Sequence, residues 1–201
     1  MSLCIECGCG FCCDGTLYSH APLKNTDLPV RNELIVVLER SGSGPSDPSE
    51  FFFDQPCKLC LNDQCAIHDQ ARPAICGDYT CKLLVNHAAC KVSLADARVL
   101  VHNVKVLRDR LRPQLEKFTG SKGSLALVEL TRLAVDRMET MDAAERSSVS
   151  SGMLLDIALM RVLLAKNFDS RLTRYTYQAD RAMQTPDAAP DSPAQPEETG
   201  A

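Results

Sequence analysis

Ten of the eleven cysteines in this 201-residue chain fall in two tight clusters: Cys4, Cys7, Cys9, Cys12 and Cys13, then Cys57, Cys60, Cys65, Cys76 and Cys81. Cysteine used as a small buried hydrophobe does not explain such density. Where thiols stay reduced, dense spacing argues for metal ligation or catalysis before disulfides, so the compartment decides how the clusters are read. Met1 to Gly15 carries no basic residue and no apolar stretch of the kind that opens a secretory leader. The longest apolar run, Leu34 to Leu38, is five residues, against about 18 for a membrane span. The expectation is a cytoplasmic protein with no leader and no membrane contact, and the odd cysteine count agrees with reduced thiols.

Formal charge is 22 − 26 = −4, and no stretch gathers basic residues with interleaved aromatics. Phosphate neutralisation by Lys and Arg supplies most nucleic-acid affinity, so a nucleic-acid partner is not expected. A length of 201 residues with 45% hydrophobic content suits one ordinary domain, or a small domain with a helical appendage.

The texture divides the chain into residues 1–92, a cysteine-cluster metal-binding domain, 93–182, a helical region, and 183–201, a tail. The first part holds every cysteine and turn-rich stretches such as Ser41 to Pro48. It reads as loops and short elements, with one strand at Glu33 to Glu39 and with Phe51 to Phe53 as core packing beside the second cluster. From Ser93 the pattern becomes helical. Ser93 to Asp96 resembles a capping box, and Ala97, Leu100, Val101, Val104, Leu107 and Leu111 recur at helical spacing until Arg112-Pro113. A second helix follows Gly123-Ser124, carrying Val128, Leu130, Leu133, Ala134, Val135 and Met138. A third starts near Asp142 or after Gly152, carries Met153, Ile157, Met160 and Leu164, and ends around Asn167. Short connections favour antiparallel packing of three such helices. The tail from about Thr185, rich in Pro, Ala, Asp and Glu, has too little apolar surface to offset its ordering entropy. The fold class expected is mainly α: an irregular, loop-rich, metal-stapled cysteine half followed by C-terminal antiparallel helices.

Within the first cluster, Cys4/Cys7 and Cys9/Cys12 are both CxxC pairs. Two intervening residues let the chain turn so that both sulfurs reach one ion at about 2.3 Å. Gly8, Gly10 and Gly15 suit such turns by tolerating positive φ. Neighbouring side chains ordinarily point apart, so Cys12 and Cys13 are expected to serve different ions, or one of them to be a spare, reactive or merely packed thiol. The second cluster is looser: Cys57-Lys-Leu-Cys60, Cys65-Ala-Ile-His68, and Arg72-Pro-Ala-Ile-Cys76 leading to Cys81. Lys58, Arg72 and Lys82 stand near enough in sequence to offset thiolate charge, although solvated surface is the commoner role of such lysines.

The run Cys9-Gly-Phe-Cys12-Cys13, then Cys57, then Cys65-Ala-Ile, then Arg72-Pro-Ala-Ile-Cys76 and Cys81, resembles the CxxCxxCC, or YkgJ-type, family of zinc- or iron-chelating cysteine-cluster domains. The resemblance covers roughly residues 4 to 81. It implies Cys9, Cys12, Cys13, Cys57, Cys65, Cys76 and Cys81 as ligands. The family's upstream cysteine would fall at Glu6, so Cys7 or Cys4 must take its place, and Cys7 is named here. Cys60 stands at the family's Leu, His68 at its Tyr and Gly77 at its Arg. Cys60 is therefore either an extra ligand or a packing residue, His68 reads more readily as a structural histidine than as a ligand, and Cys90 stands apart.

The function expected is a metal-binding protein holding zinc or iron, an iron–sulfur cluster included, through Cys7, Cys9, Cys12, Cys13, Cys57, Cys65, Cys76 and Cys81. The alternatives are an iron- or thiol-dependent redox or group-transfer enzyme, or a metal-stapled adaptor whose helices meet a protein partner. His20, His68, His87 and His102 have no motif tying them to a nucleophile. The glycines at Gly8 to Gly15 lack the Lys of a phosphate-binding loop.

Overall fold

The computed structural model describes residues 3–24, 27, 37–39, 51–121 and 123–169. In chain order these form α1 (Leu3–Cys7), β1 (His20–Leu23), β2 (Val37–Glu39), β3 (Phe51–Asp54), β4 (Cys60–Leu61), β5 (Gln64–Cys65), α2 (Ala74–Asp78), α3 (Lys82–Ala88), α4 (Leu94–Thr119), α5 (Leu127–Thr140), α6 (Ala143–Ser147) and α7 (Ser151–Asn167). The protein is mainly α, as expected. The tail from Thr185 lies outside the described residues.

Helix α4 is the spine. The Ser93 hydroxyl accepts the Asp96 N–H at 3.1 Å, and Asp96 in turn accepts the Ser93 hydroxyl at 2.6 Å. Ala97, Val101, Val104, Leu107, Leu111 and Leu115 follow at three- and four-residue steps, each 4% exposed or less. Burying a Val or Leu side chain contributes roughly 2 kcal/mol relative to exposure. The helix does not stop at Arg112-Pro113 but continues through Pro113 to Thr119, closing on Gly120 at φ 72°. A proline inside a helix costs about 3 kcal/mol by removing one donor and crowding the preceding turn. Continuing the stripe to Leu115, which is wholly buried, and ending in a left-handed glycine cap offset that cost.

The third helix expected from the sequence is two: α6, opened by a complete Asp142/Glu145 capping box, and α7, capped by Ser150. Arg110 grips Asp156 through Nε at 2.8 Å and Nη2 at 2.5 Å. At the other end of α7 the Phe168 carbonyl accepts the Lys82 N–H at 2.8 Å. Helix α7 therefore returns antiparallel to α4. Its outer side stays apolar, with Leu155, Leu159 and Val162 exposed. Helix α5 starts beside the first cysteine cluster, where the Val128 N–H donates to the Gly15 carbonyl at 3.2 Å.

In the other half, β1, β3 and β2 form an antiparallel sheet in that order, with Phe53 opposite Ala21 on one side and Val37 on the other. Phe51 to Phe53, expected as core packing, is the central strand, in keeping with the preference of aromatics for pleated, half-buried surface. The strand expected at Glu33 to Glu39 is described only over Val37–Glu39. Leu3, Phe11, Leu17 and Leu83 belong to the same buried cluster as Val101, Leu111, Leu130, Ile157 and Phe168, so one core runs across the 92/93 boundary. Among the described residues no helix is long and apolar enough to cross a membrane.

Candidate metal centre

The first cluster hangs from the end of α1. Gly8 at φ 54° turns the chain, the Cys9 N–H donates to the Cys4 carbonyl at 3.0 Å, and the Cys13 N–H donates to the Gly10 carbonyl at 2.8 Å. Gly10, at φ 64°, passes so close to the Asp63 carbonyl oxygen that a Cβ there would lie 2.6 Å from it. Phe11, between Cys9 and Cys12, is fully buried and meets Phe168 edge-to-face, ring centroids 5.2 Å apart. That contact pins the loop to the end of α7.

The second cluster is stitched onto the first by backbone. The Cys57 N–H donates to the Cys13 carbonyl at 2.7 Å, and the Cys60 N–H to the Cys57 carbonyl at 2.9 Å. Strands β4 and β5 are joined by Asn62 and Asp63 at φ 49° and 62°, the two-residue turn that requires positive φ at both positions. The register sets Cys60 opposite Cys65. Asp27 accepts the Ala74 N–H at 2.9 Å and the Lys24 N–H at 2.8 Å, fixing the start of α2, which carries Cys76. Between Cys76 and Cys81, the Tyr79 hydroxyl meets that of Tyr18 at 2.8 Å, and Tyr18 also donates to Asp169.

These segments enclose a cavity of about 530 Å³. Cys4, Cys9, Cys12, Cys13, Cys57, Cys65, Cys76 and Cys81 all line it, from five separate stretches of chain, with His68 and Arg72. Seven of the eight cysteines named from the sequence thus share one wall. Cys7 does not: it faces Arg98 and Lys105 of α4, and Cys4 stands on the cavity in its stead. Cys60 and exposed Cys90 are also off the wall. Cys12 and Cys13 do not point apart; their sulfurs lie 3.7 Å from each other. Two thiolates on one tetrahedral ion at about 2.3 Å would be separated by about 3.8 Å. No disulfide links any of the eleven cysteines.

Burial dominates the electrostatics. It pushes Cys9 well above the ordinary thiol value, raises Cys57 and Cys81, and brings Cys60 and Cys76 up to about 12. Neighbouring thiols push Cys9, Cys57 and Cys76 the same way, while Arg72 opposes the rise at Cys76. The contact between the Cys12 and Cys13 sulfurs lowers Cys12 and raises Cys13. Of the three cations considered from the sequence, Arg72 lines the cavity and Lys58 and Lys82 do not.

A polar clamp that the sequence did not disclose holds both clusters against α4. The Arg108 guanidinium bonds Asp14, the residue after Cys13, and lies 2.7 Å from Asp63 in the β4–β5 turn. Lys105 meets the other oxygen of Asp63 at 2.9 Å. The two acids are shifted in opposite directions. Desolvation outweighs Arg108 at the more buried Asp14 and raises it; at Asp63 desolvation also raises, but the Arg108 and Lys105 hydrogen bonds prevail and hold the carboxyl below its ordinary value. Asn62-Asp63, a dipeptide that tolerates positive φ, was the one signal that could have pointed to this turn, whereas nothing distinguished Arg108 from the other cations of α4's polar face.

The donor set is chemically suited to a thiophilic cation, yet the thiols line the cavity rather than meeting at a point. Among the described residues, no three or more His, Cys, Asp or Glu side chains are gathered closely enough to hold a metal ion as they stand. Comparison with protein-family descriptions, with curated proteins and with solved structures returned no match to this chain.

Proposed function

We propose that the chain is a cytoplasmic metal-binding protein of the CxxCxxCC type, holding zinc or iron through Cys9, Cys12, Cys13, Cys57, Cys65, Cys76 and Cys81, with Cys4 rather than Cys7 as the upstream thiol. The observation that carries this reading is the convergence of thiols from both clusters on one cavity with no disulfide among them. An all-thiolate set suits zinc, or iron including an iron–sulfur cluster. Zinc would supply a structural cross-link there, and an iron–sulfur cluster one-electron transfer. Arg72, on the same wall, offsets part of the negative charge of such a set. The protein's own part is to bring the segments together: Cys57 on Cys13 through the backbone, both clusters on α4 through Arg108.

Anaerobic purification followed by elemental analysis and a visible spectrum tests the proposal. Stoichiometric iron with acid-labile sulfide selects the cluster, colourless protein with zinc selects the structural site, and a natively folded chain free of either overturns it. Cys12→Ser is expected to lose metal, whereas Cys7→Ser and Cys90→Ser keep it. The alternative, a thiol-dependent redox or group-transfer enzyme, is supported by the adjacent Cys12 and Cys13 sulfurs on the cavity wall. Iodoacetamide labelling of the metal-loaded protein separates the two: a reactive thiol is alkylated, ligated ones are not.

A further inference from the structure

Helix α7 is apolar nearly all the way round. Its 17 residues include only three charged side chains, Asp156, Arg161 and Lys166, and Asp156 is neutralised by Arg110. Met153, Ile157, Met160 and Leu164 turn one side into the shared core, yet Leu155, Leu159 and Val162 on the opposite side are 67%, 44% and 61% exposed. A helix apolar on every side is ordinarily buried on every side. Val106 and Val99, both exposed, lie on the same stripe of α4 as Arg110, four and eleven residues before it, so the apolar surface extends onto α4 on the side where Arg110 reaches Asp156. Among the described residues, six of the nine exposed large apolar side chains sit on these two helices, which is a patch and not the single scatter of an ordinary surface.

We infer that this face pairs with a second copy of the chain, α7 packing antiparallel against α7 of the other copy about a two-fold axis. The stripe is self-complementary, with an apolar middle and polar ends. An axis between Ala158 and Leu159 sets Leu155 against Val162 of the second copy and Lys166 against Ser151 of the second copy, so no like charges meet. A 17-residue helix is about 25 Å long and about 10 Å wide, so α7 with the neighbouring edge of α4 offers roughly 500 Å² per copy, or roughly 1,000 Å² in the pair. That reaches the lower limit for a specific interface, about 1,000 Å². A lipid surface favours a rim rich in Lys and Arg, and α7 offers only Arg161 and Lys166. None of these residues borders the cavity, so the inference stands apart from the metal proposal.

Sedimentation equilibrium of the full chain is expected to show a dimer at about 100 μM, where a pair of micromolar affinity is nearly complete. Leu155→Lys and Val162→Glu each enter the interface twice, and each is expected to weaken association roughly a hundredfold. Mixed in equal amounts, the two variants are expected to associate roughly tenfold more tightly than either alone, because the mixed pair restores one apolar contact and opposes unlike charges in the other. Both positions are exposed, so each variant should keep the parent's helical circular dichroism. Val85→Lys, at an exposed position of α3 outside the face, is the control and should leave the dimer intact. A dimer untouched by either variant, no gain on mixing, or equal loss in Val85→Lys overturns the inference. A monomeric parent also overturns it: a lower melting temperature in Leu155→Lys would then mean that the face is covered from within the chain, and flotation on phosphatidylcholine vesicles lost in that variant would mean a lipid surface. Metal content measured on the same samples should be equal throughout, so the two proposals fail separately.

Discussion

Along α4 the buried side chains succeed one another from Ala97 to Leu115 without a gap, whereas the cysteine-bearing half arranges short strands and turns around a cavity of about 530 Å³. The helical half draws its stability from apolar surface removed from water, which needs no ligand. In the cysteine half, the side chains around the cavity forfeit the contacts a filled core would give, and its longest described helix, α3, has seven residues. Closing the roughly 43-residue loop between Cys13 and Cys57 costs on the order of 3 kcal/mol. A structural zinc site can return about 10 to 16 kcal/mol. The helices are thus held by packing in a core they share with the cysteine half, and the cysteine half leaves a cavity beside that core.

On the proposed function, the largest effect should come from removing the metal. Chelation is expected to leave most of the far-UV helical signal in place while cleavage within residues 3–92 by a dilute protease rises sharply. Equal protection with and without chelator would mean that both halves rest on packing alone. Metal uptake should also weaken as pH falls, because the raised cavity thiols must give up protons to bind; zinc affinity measured between pH 8 and 6, about the range where this competition operates, checks the sign.

Next in size is Phe11→Ala, expected to cost about 4 kcal/mol in urea unfolding, since it removes a fully buried ring from the seam between the two halves. A loss in metal occupancy without a loss in stability would show instead that the seam serves only the cysteine loop. Arg108→Met should cost about 3 kcal/mol by leaving Asp14 buried without its guanidinium. The contribution of Asp63 follows pH with a definite sign. Its carboxyl is held below the ordinary value, so the stability it adds is present above about pH 4 and is lost as pH falls through the lower folded value. The parent chain should therefore lose stability more steeply below pH 4 than Arg108→Met, about where free carboxyls titrate. Ser93→Ala is the smallest, about 1 kcal/mol from loss of the α4 cap, and should leave metal content unchanged.

Much of the helical half was legible because helical periodicity and caps are local. Ser93, Asp142 and Asn167 each mark a real boundary. The misreading at Pro113 has a physical cause: a local breaker was outweighed by Leu115 and the Gly120 cap, whose value depends on what they pack against. In the cysteine half the two clusters were legible from spacing, but which of their thiols border the cavity was not. Whether Cys4 or Cys7 borders the cavity depends on how α1 packs against α4, and the meeting of the Cys12 and Cys13 sulfurs depends on a turn seated by Phe11.

The amino-acid sequence by itself determined that thiols would be concentrated in two short stretches, that three apolar stripes with helical period would follow, and that no run would suit a membrane, since spacing and composition are properties of the chain alone. Only the tertiary structure decided that both thiol stretches border one cavity and that Arg108 ties them to α4. Those facts depend on distances between residues tens of positions apart, which arise when burial of one shared core brings the stretches together.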